Sequence, residues 1–457
     1  MTDTPTRPDP LTLMRSRPYV GLLLICAVLG APIAAVAYYF LKLTSLLQHW
    51  TYADLPTSVG FNAEPIWWPL VPLAAAGIAV GLIVRYVPGR GGEVPIGGFH
   101  PGGAPVPRAL PGIAAAALIS IGLGAVIGPE GPLVAIGGGL AYLMAGVVRK
   151  MPESARRVVG GSGSYAAIST LIGTPLAATF LLMEASGLAG AMATAVLLPG
   201  LLAAGVGALI FTGLNSATGF GTFSLAIPNL PPAGSPTISE FGYAIAVGLI
   251  AAGLCWLIRR VANIVGGFVA RRLLVVTLLV GLAIAGLAIL YAEVTGHATS
   301  DVLFSGQAGL PQVVDHASDY SVGALLLLVA CKGLAYSGAL VAFRGGPTFP
   351  AIFIGAAGGV LASHLPGLSL VAGVAIGLGA MTTGMLRLPF TAVLVTSLVL
   401  GSDGFAVIPL TIVAVVVCHI ATMRLTSTEP VTPPPDAPAT PRPRDPVTPV
   451  AGRPARR

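Results

Sequence analysis

Two carboxylates, Glu130 and Glu184, are embedded in long apolar stretches, whereas almost all of the other acidic residues lie in tails, caps or connections. A carboxylate inside a bilayer costs about 2.5–3.5 kcal/mol and is therefore a functional candidate. Glu130 lies in the segment 128–132, Gly-Pro-Glu-Gly-Pro, where Pro132 can begin a helix. The free N–H groups at a helix start bind anions. We therefore predict that the Glu130 carboxylate competes with an anion there and that protonation releases it.

Both carboxylates also have a structural interpretation. Glu130 could only cap its own helix. Glu184 is interpreted as mainly structural, a carboxylate that hydrogen-bonds backbone amides and joins two helices, while it is kept as a possible second functional carboxylate. The residue pattern leaves these alternatives open.

A different chemistry would be that of an intramembrane serine hydrolase. The segment 160–163, Gly-Gly-Ser-Gly, places Ser162 in a glycine-rich stretch that resembles a turn, and His364 or His419 could act as its base. This match is weak in a chain with 60 glycines, and it leaves Glu130 unexplained. We therefore predict a protein that is not an enzyme.

The residues that bind metals show no suitable spacing. The six histidines are not paired, and the cysteines are far apart in apolar segments. These cysteines, interpreted as small core residues, are Cys26, Cys255, Cys331 and Cys418. We predict no metal site and no cofactor.

The elements that carry these residues are predicted to be membrane helices. Charged residues make up 9% of the chain, against about 25% in soluble domains, and 55% of the residues are hydrophobic. Apolar runs long enough to approach or cross a hydrocarbon core recur along the chain. They are 19–38, 68–84, 110–127, 191–212, 241–258, 273–292, 321–343, 366–386 and 405–423. The composition therefore predicts an all-α integral membrane protein that passes the bilayer several times.

The formal net charge of +7 is concentrated at the ends and in short connections. This distribution follows the positive-inside rule and does not indicate nucleic-acid binding, so we expect both termini in the cytoplasm. Residues 1–18 and the Pro- and Arg-rich residues 425–457 are predicted to be disordered. Between them we predict a membrane domain of about 19–424, divided into halves of about 19–214 and 240–424.

An internal repeat relates these two halves. Residues 128–138 resemble residues 346–356, with Pro132 matching Pro350 at an offset of 218 residues. Residues 174–182 likewise resemble 388–396 at an offset of 214. Glycine- and proline-interrupted helices in corresponding positions of two halves indicate a transporter with its substrate site at the repeat interface. We therefore expect half-spanning helices in two repeats of inverted topology.

The motifs resemble those of the CLC family of chloride channels and proton-coupled chloride exchangers, over about residues 20–424. The segment 128–132 is similar to the family's G-K/R-E-G-P motif, 345–350 resembles its G-x-F-x-P motif, and 91–95 resembles a degraded G-S-G-I-P. The resemblance implies that Glu130 is the gating glutamate. It also implies pore-helix starts at Gly128, Pro132, Gly346 and Pro350, and an anion site formed by Gly92, Gly131, Thr348 and Phe349.

Further expectations follow from the same resemblance. It implies a homodimer in the cell membrane, with one pore per subunit and chloride as the transported substrate. Fluoride is an alternative, because variants of the pore motifs accompany changed selectivity. Lys332 is similar to a basic residue of the family that would attract anions, although a lysine that extends its ammonium group to the interface explains it equally well.

The chain also departs from the family's pattern. Gly92 replaces a serine that contacts the anion, and Pro347 has no N–H to donate. The pore tyrosine near the C-terminus is missing, and Ala185 stands where exchangers carry a second, internal glutamate. We therefore favour an uncoupled, channel-like pathway over a proton-coupled chloride or fluoride antiporter.

Overall fold

The computed structural model describes residues 10–98, 105–148, 151–187, 190–219, 226–227, 230–401 and 404–426. Within these ranges the chain is helical and forms no β-strand. The helices are α1 (Pro10–Met14), α2 (Arg17–His49), α3 (Leu55–Ser58), α4 (Leu70–Tyr86), α5 (Leu110–Gly122), α6 (Glu130–Ala145), α7 (Glu153–Ile172), α8 (Pro175–Ser186), α9 (Ala191–Thr218), α10 (Ile238–Arg271), α11 (Leu273–Thr295), α12 (Gly309–Asp315), α13 (Val322–Ala342), α14 (Thr348–Ser363), α15 (Leu370–Leu386), α16 (Pro389–Leu400) and α17 (Gly404–Thr426). This architecture confirms the predicted all-α membrane fold.

Helices of two lengths make up the membrane domain. In the described part of the chain, six helices are long and apolar enough to cross a bilayer: α2 with its continuation to Ser58, α9, α10, α11, α13 and α17. Shorter apolar helices, including α6, α8, α14 and α16, lie between them. A helix of 12–16 residues rises only about 18–24 Å at 1.5 Å per residue, so it cannot span a core of about 30 Å. The predicted half-spanning helices are therefore present.

The repeat is visible in the bounds of these short helices. α6 and α14 each have 16 residues and start 218 residues apart, and α8 and α16 each have 12 residues and start 214 residues apart. Pro132 and Pro350 are both the third residue of their helices, where proline removes no intrahelical hydrogen bond. The two proline anchors therefore correctly identified matching elements of the two halves.

Glycine packing repeats in the same way. A Cβ added at Gly137 of α6 would lie 2.6 Å from the carbonyl oxygen of Gly163 in α7, and one added at Gly355 of α14 would lie 2.5 Å from that of Gly377 in α15. Each pair brings two helix backbones into contact, as small residues do in membrane proteins. The close helix pairs α6–α7 and α14–α15 are thus equivalent.

The predicted ends of the membrane domain differ slightly from the observed helices. Residues 10–14 form α1 rather than the disordered segment predicted, and α2 begins at Arg17, where Ser16 caps it by accepting a hydrogen bond from Tyr19 N. Residues 1–9 and 427–457 lie outside the described residues, and so do 220–225 in the connection between α9 and α10.

Candidate functional site

The turns before α6 and α14 pair with each other. Gly128 N donates to Gly346 O at 2.8 Å, and Gly346 N donates to Gly128 O at 2.5 Å, in an isolated antiparallel bridge. These two residues are 218 positions apart, the offset of the repeat. An exchange of hydrogen bonds between equivalent residues is the pattern that a local two-fold rotation produces. The bridge therefore places the starts of both half-helices together.

The carboxylate of Glu130 lies at this junction and is 1% exposed. Its Oε1 accepts a hydrogen bond from the backbone N–H of Phe349, at 2.8 Å, in the first turn of α14. Its Oε2 is buried and has no hydrogen-bond partner in the described part of the chain. The carboxylate thus binds the helix of the opposite half, whose positive end stabilises a negative charge.

Two glycines provide the space for this carboxylate. A Cβ added at Gly128 or at Gly346 would overlap with the Glu130 side chain. Gly131 is equally confined, because a Cβ there would lie 2.8 Å from Gly345 O. Side chains at these positions would therefore displace either the carboxylate or the bridge.

A cavity of about 1290 Å³ reaches the junction from one side. Gly92, Gly131 and Pro347 line its inner end, whereas Glu130, Thr348 and Phe349 are not among its lining residues. Three arginines and a single glutamate also line it, namely Arg90, Arg108, Arg157 and Glu93. This excess of positive charge raises the local concentration of anions. Of the four residues predicted to bind the anion, Gly92 and Gly131 line the cavity, and Thr348 and Phe349 do not.

Arg344, which follows α13, fixes the geometry of the junction and escaped the sequence analysis. Its Nε donates to Arg90 O at 3.3 Å, and its backbone N–H donates to the Ser120 hydroxyl at 3.1 Å. These bonds join α5, α13 and the loop that contains Gly92. The sequence does contain a signal for Arg344, because this arginine stands between an apolar run and the Gly-Gly-Pro segment 345–347.

Tyr336 of α13 was also missed by the sequence analysis. Its hydroxyl donates to Pro347 O at 2.6 Å, and the side chain is fully buried. It lies 11 residues before Pro347 in an apolar helix, and nothing in that segment distinguishes it from a core tyrosine.

Glu184 joins two helices of opposite halves at a second location. It is in the last turn of α8, and its carboxylate accepts hydrogen bonds from Phe390 N, at 3.0 Å, and from Thr391 N, at 2.7 Å. The Thr391 hydroxyl donates a third bond, at 2.6 Å. Glu184 therefore caps the start of α16, which is the geometry that the structural interpretation describes.

Lys332 does not extend to the membrane interface, which was one of the two roles considered from the sequence. Its side chain is fully buried, and Nζ donates to the carbonyl oxygens of Asp301, Val302 and Leu303 at 2.8–3.0 Å. The ammonium also lies 4.3 Å from the ring centre of Phe353. Lys332 thus holds the connection between α11 and α12 against α13. The interfacial interpretation is wrong, and the attraction of anions stays a prediction.

The serine hydrolase alternative is wrong as well. Ser162 lies within α7 and not in a turn, and its hydroxyl donates to Val158 O at 2.9 Å. His364 directly follows α14, where its Nδ1 lies 3.0 Å from Val360 O, and His419 is on α17. Gly163, next to Ser162, brings α7 into backbone contact with Gly137 of α6 and does not form a turn.

Comparison with known proteins identifies the family. The profile of the voltage gated chloride channel family matches residues 76–422. The chain is 31% identical over 362 residues to the "Putative ion-transport protein YfeO" of Shigella boydii serotype 4 (strain Sb227), covering 77% of this chain and 81% of that protein. The same values hold for the protein of that name from Escherichia coli (strain 55989 / EAEC). The chain therefore belongs to the voltage gated chloride channel family, as the motifs predicted.

Solved structures show the same fold. A slow cyanobacterial Cl⁻/H⁺ antiporter matches with a TM-score of 0.72 at 19% identity, covering 89% of this chain and 95% of that one. A CLC-type fluoride/proton antiporter matches with a TM-score of 0.63 at 20% identity, covering 89% of this chain and 96% of that one. The prediction of a CLC-like fold is confirmed, and a protein of this family is not an enzyme.

Proposed function

We propose that this protein transports inorganic anions across the membrane and that Glu130 is its gate. The observation that carries the proposal is the hydrogen bond from Phe349 N to Glu130 Oε1, because it joins a carboxylate of one half to the anion-binding helix start of the other. An anion that reaches this amide must replace the carboxylate. Protonation of Glu130 removes its charge and favours the exchange, so flux rises as the pH falls.

The transport route begins in the arginine-lined cavity. Anions gather near Arg90, Arg108 and Arg157 and reach the backbone at Gly92 and Gly131. From there the amides of Thr348 and Phe349 at the start of α14 receive them. Glu130 closes the far side of this site in the conformation described here.

We favour an uncoupled pathway over proton-coupled exchange. Ala185 stands at the position where the resemblance would require a second titrating carboxylate. The neighbouring Glu184 is held by three donors at the start of α16, and this supports a structural role. Chloride is the proposed substrate, with fluoride as the alternative, and the CLC-type fluoride/proton antiporter of similar fold motivates testing both.

The wider assembly is proposed from the family resemblance. The membrane domain of about 19–424, with its two halves, would form a homodimer in the cell membrane with one pore per subunit. Basic residues near the chain ends support a cytoplasmic location of both termini.

Reconstitution into liposomes tests the function. Vesicles loaded with chloride or fluoride would be diluted into gluconate, and anion efflux and internal pH would be recorded together. We expect anion efflux without proton movement, increased in Glu130→Ala and independent of pH in both Glu130→Ala and Glu130→Gln. Glu293→Gln, which changes an exposed carboxylate of α11 outside the cavity lining, is the matched control.

Three results would contradict the proposal. Absence of efflux of either anion refutes transport, and an unchanged pH dependence in Glu130→Gln refutes the gate. Proton movement that stops in Glu184→Gln would show coupled exchange instead.

A further inference from the structure

Two of the four cysteines lie side by side in the described part of the chain. Cys255 of α10 and Cys418 of α17 both contact Gly384 of α15. Their Sγ atoms lie 2.5 and 3.0 Å from the point that a Cβ on Gly384 of α15 would occupy. Both distances are measured to the same point, so the two sulfur atoms are close neighbours, and only a residue without a side chain fits at position 384.

A third sulfur atom completes the group. Met381 of α15 lies one turn before Gly384, and its Sδ is 3.5 Å from Cys255 Sγ. Cys255 and Cys418 are fully buried, and Met381 is 1% exposed. Three sulfur atoms from three helices thus lie close together inside the membrane domain.

This chemistry selects soft metal ions. Thiolates and thioethers bind soft, thiophilic ions such as Cu(I), and Hg(II) has the same preference, whereas hard cations prefer oxygen ligands. Two thiolates neutralise a divalent ion, so the complex would carry no net charge, as an apolar interior requires. We propose that Cys255, Cys418 and Met381 form a binding site for a soft, thiophilic metal ion that clamps α10, α15 and α17 together.

The site lies next to a contact of the proposed pathway. Arg259, one turn after Cys255 on α10, donates to Met385 O of α15 and, at 3.4 Å, to Ile96 O in the short helical turn Pro95–Gly97 that follows Gly92. A metal ion bound by Cys255 and Met381 would hold α10 against α15 and so limit the movement of Arg259. Any effect on flux rests on the proposed function, whereas metal binding is measurable without it.

Mercuric chloride is a suitable probe, because the neutral molecule can enter an apolar site. Each HgCl₂ would react with both thiols, forming two Hg–S bonds and releasing two protons and two chloride ions, with no change of oxidation state. The full chain in detergent would be titrated with HgCl₂. Released protons, thiols that remain after unfolding, and the thermal midpoint would be measured.

Two variants with equal numbers of thiols provide the comparison. Cys26→Ser/Cys331→Ser keeps the pair, and Cys255→Ser/Cys418→Ser keeps two other buried cysteines on α2 and α13. We expect the first variant to bind one mercury per chain, to lose both thiols, and to unfold at a higher temperature. The second should bind about 100-fold more weakly or more, because its thiols cannot chelate one ion. Cys→Ala versions replace any serine variant that fails to fold.

Different results would overturn the role of the cysteine pair and the role of Met381. Equal affinity and equal stabilisation of the two variants, or two mercury ions bound by the first, would overturn the chelating pair. Unchanged mercury affinity in Met381→Leu would overturn the three-donor site. Binding that is intact in a variant without flux would contradict the proposed function alone.

Discussion

Gly346→Ala tests whether the Glu130 carboxylate blocks the anion site. The φ angle of Gly346 is not positive, so the backbone accepts alanine without strain. Its Cβ, however, would overlap with Glu130 Oε2 and lie 3.0 Å from Gly131 N. The carboxylate side chain is the more mobile of these two neighbours, so we expect it to leave the site.

The size of the effect follows from the bond that is lost. A hydrogen bond to a charged group contributes about 1.5–3 kcal/mol, and Phe349 N–H is the donor that Oε1 loses. About 1.4 kcal/mol is a factor of ten in an equilibrium constant. The population of the state in which the carboxylate has left the site therefore rises by about 10- to 100-fold. We expect flux at neutral pH to rise toward that of Glu130→Ala and its pH dependence to weaken.

A double-mutant cycle separates displacement from other effects. In the Glu130→Ala background there is no carboxylate to displace, so Gly346→Ala should add little, and the two substitutions should be strongly non-additive. Gly358→Ala is the matched control, because a Cβ at that position on α14, the helix that follows Gly346, meets no atom within 4 Å. The assay is chloride efflux from liposomes with equal amounts of folded protein. Efflux that equals the parent's, or that falls in both backgrounds, would refute this account.

Three further substitutions test structural roles by thermal unfolding in detergent. Lys332→Met should destabilise the protein by at least about 3 kcal/mol, because three buried carbonyl groups lose their donor; unchanged stability would mean that these bonds contribute little. Glu184→Ala should cost about 2–4 kcal/mol and leave efflux per folded molecule unchanged, and a selective loss of efflux would assign Glu184 to transport. Arg387→Gly should stabilise the protein by up to about 1 kcal/mol. Arg387 ends α15 with a positive φ of 62°, and its repeat partner Gly173 ends α7 with a φ of 77°. A lower thermal midpoint would show that contacts of the Arg387 side chain contribute more than the strain of its backbone costs.

The sequence predicted those parts of the fold that depend on composition and on the proline anchors. Long apolar runs identified the spanning helices, and Pro132 and Pro350 identified two half-helices whose starts the structure brings together. These signals are strong because a hydrocarbon core requires apolar, internally hydrogen-bonded segments. A repeat also predicts a common interface without any knowledge of the intervening chain.

The remaining features depend on contacts that the sequence does not encode locally. Lys332 is bound by carbonyls about 30 residues away, and the partners of Arg344 lie 224 and 254 residues away. Cys255 and Cys418 are far apart in the sequence, so their spacing predicts no common site, yet the packing of three helices brings both sulfur atoms to Gly384. Ser162 was misjudged because glycines that permit close helix packing look like those that permit a turn.

The bridge between Gly128 and Gly346 has a consequence for how the protein is assembled. In hydrocarbon an amide without a partner is costly, and each of these turns receives its partner only from the other half of the chain. After insertion, the turn at Gly128 in the N-terminal half therefore lacks its hydrogen-bond partner until residue 346 has been synthesised. Biogenesis of the junction is a single late event shared by both halves, and a chain truncated before that residue would expose an unsatisfied turn to quality-control proteases.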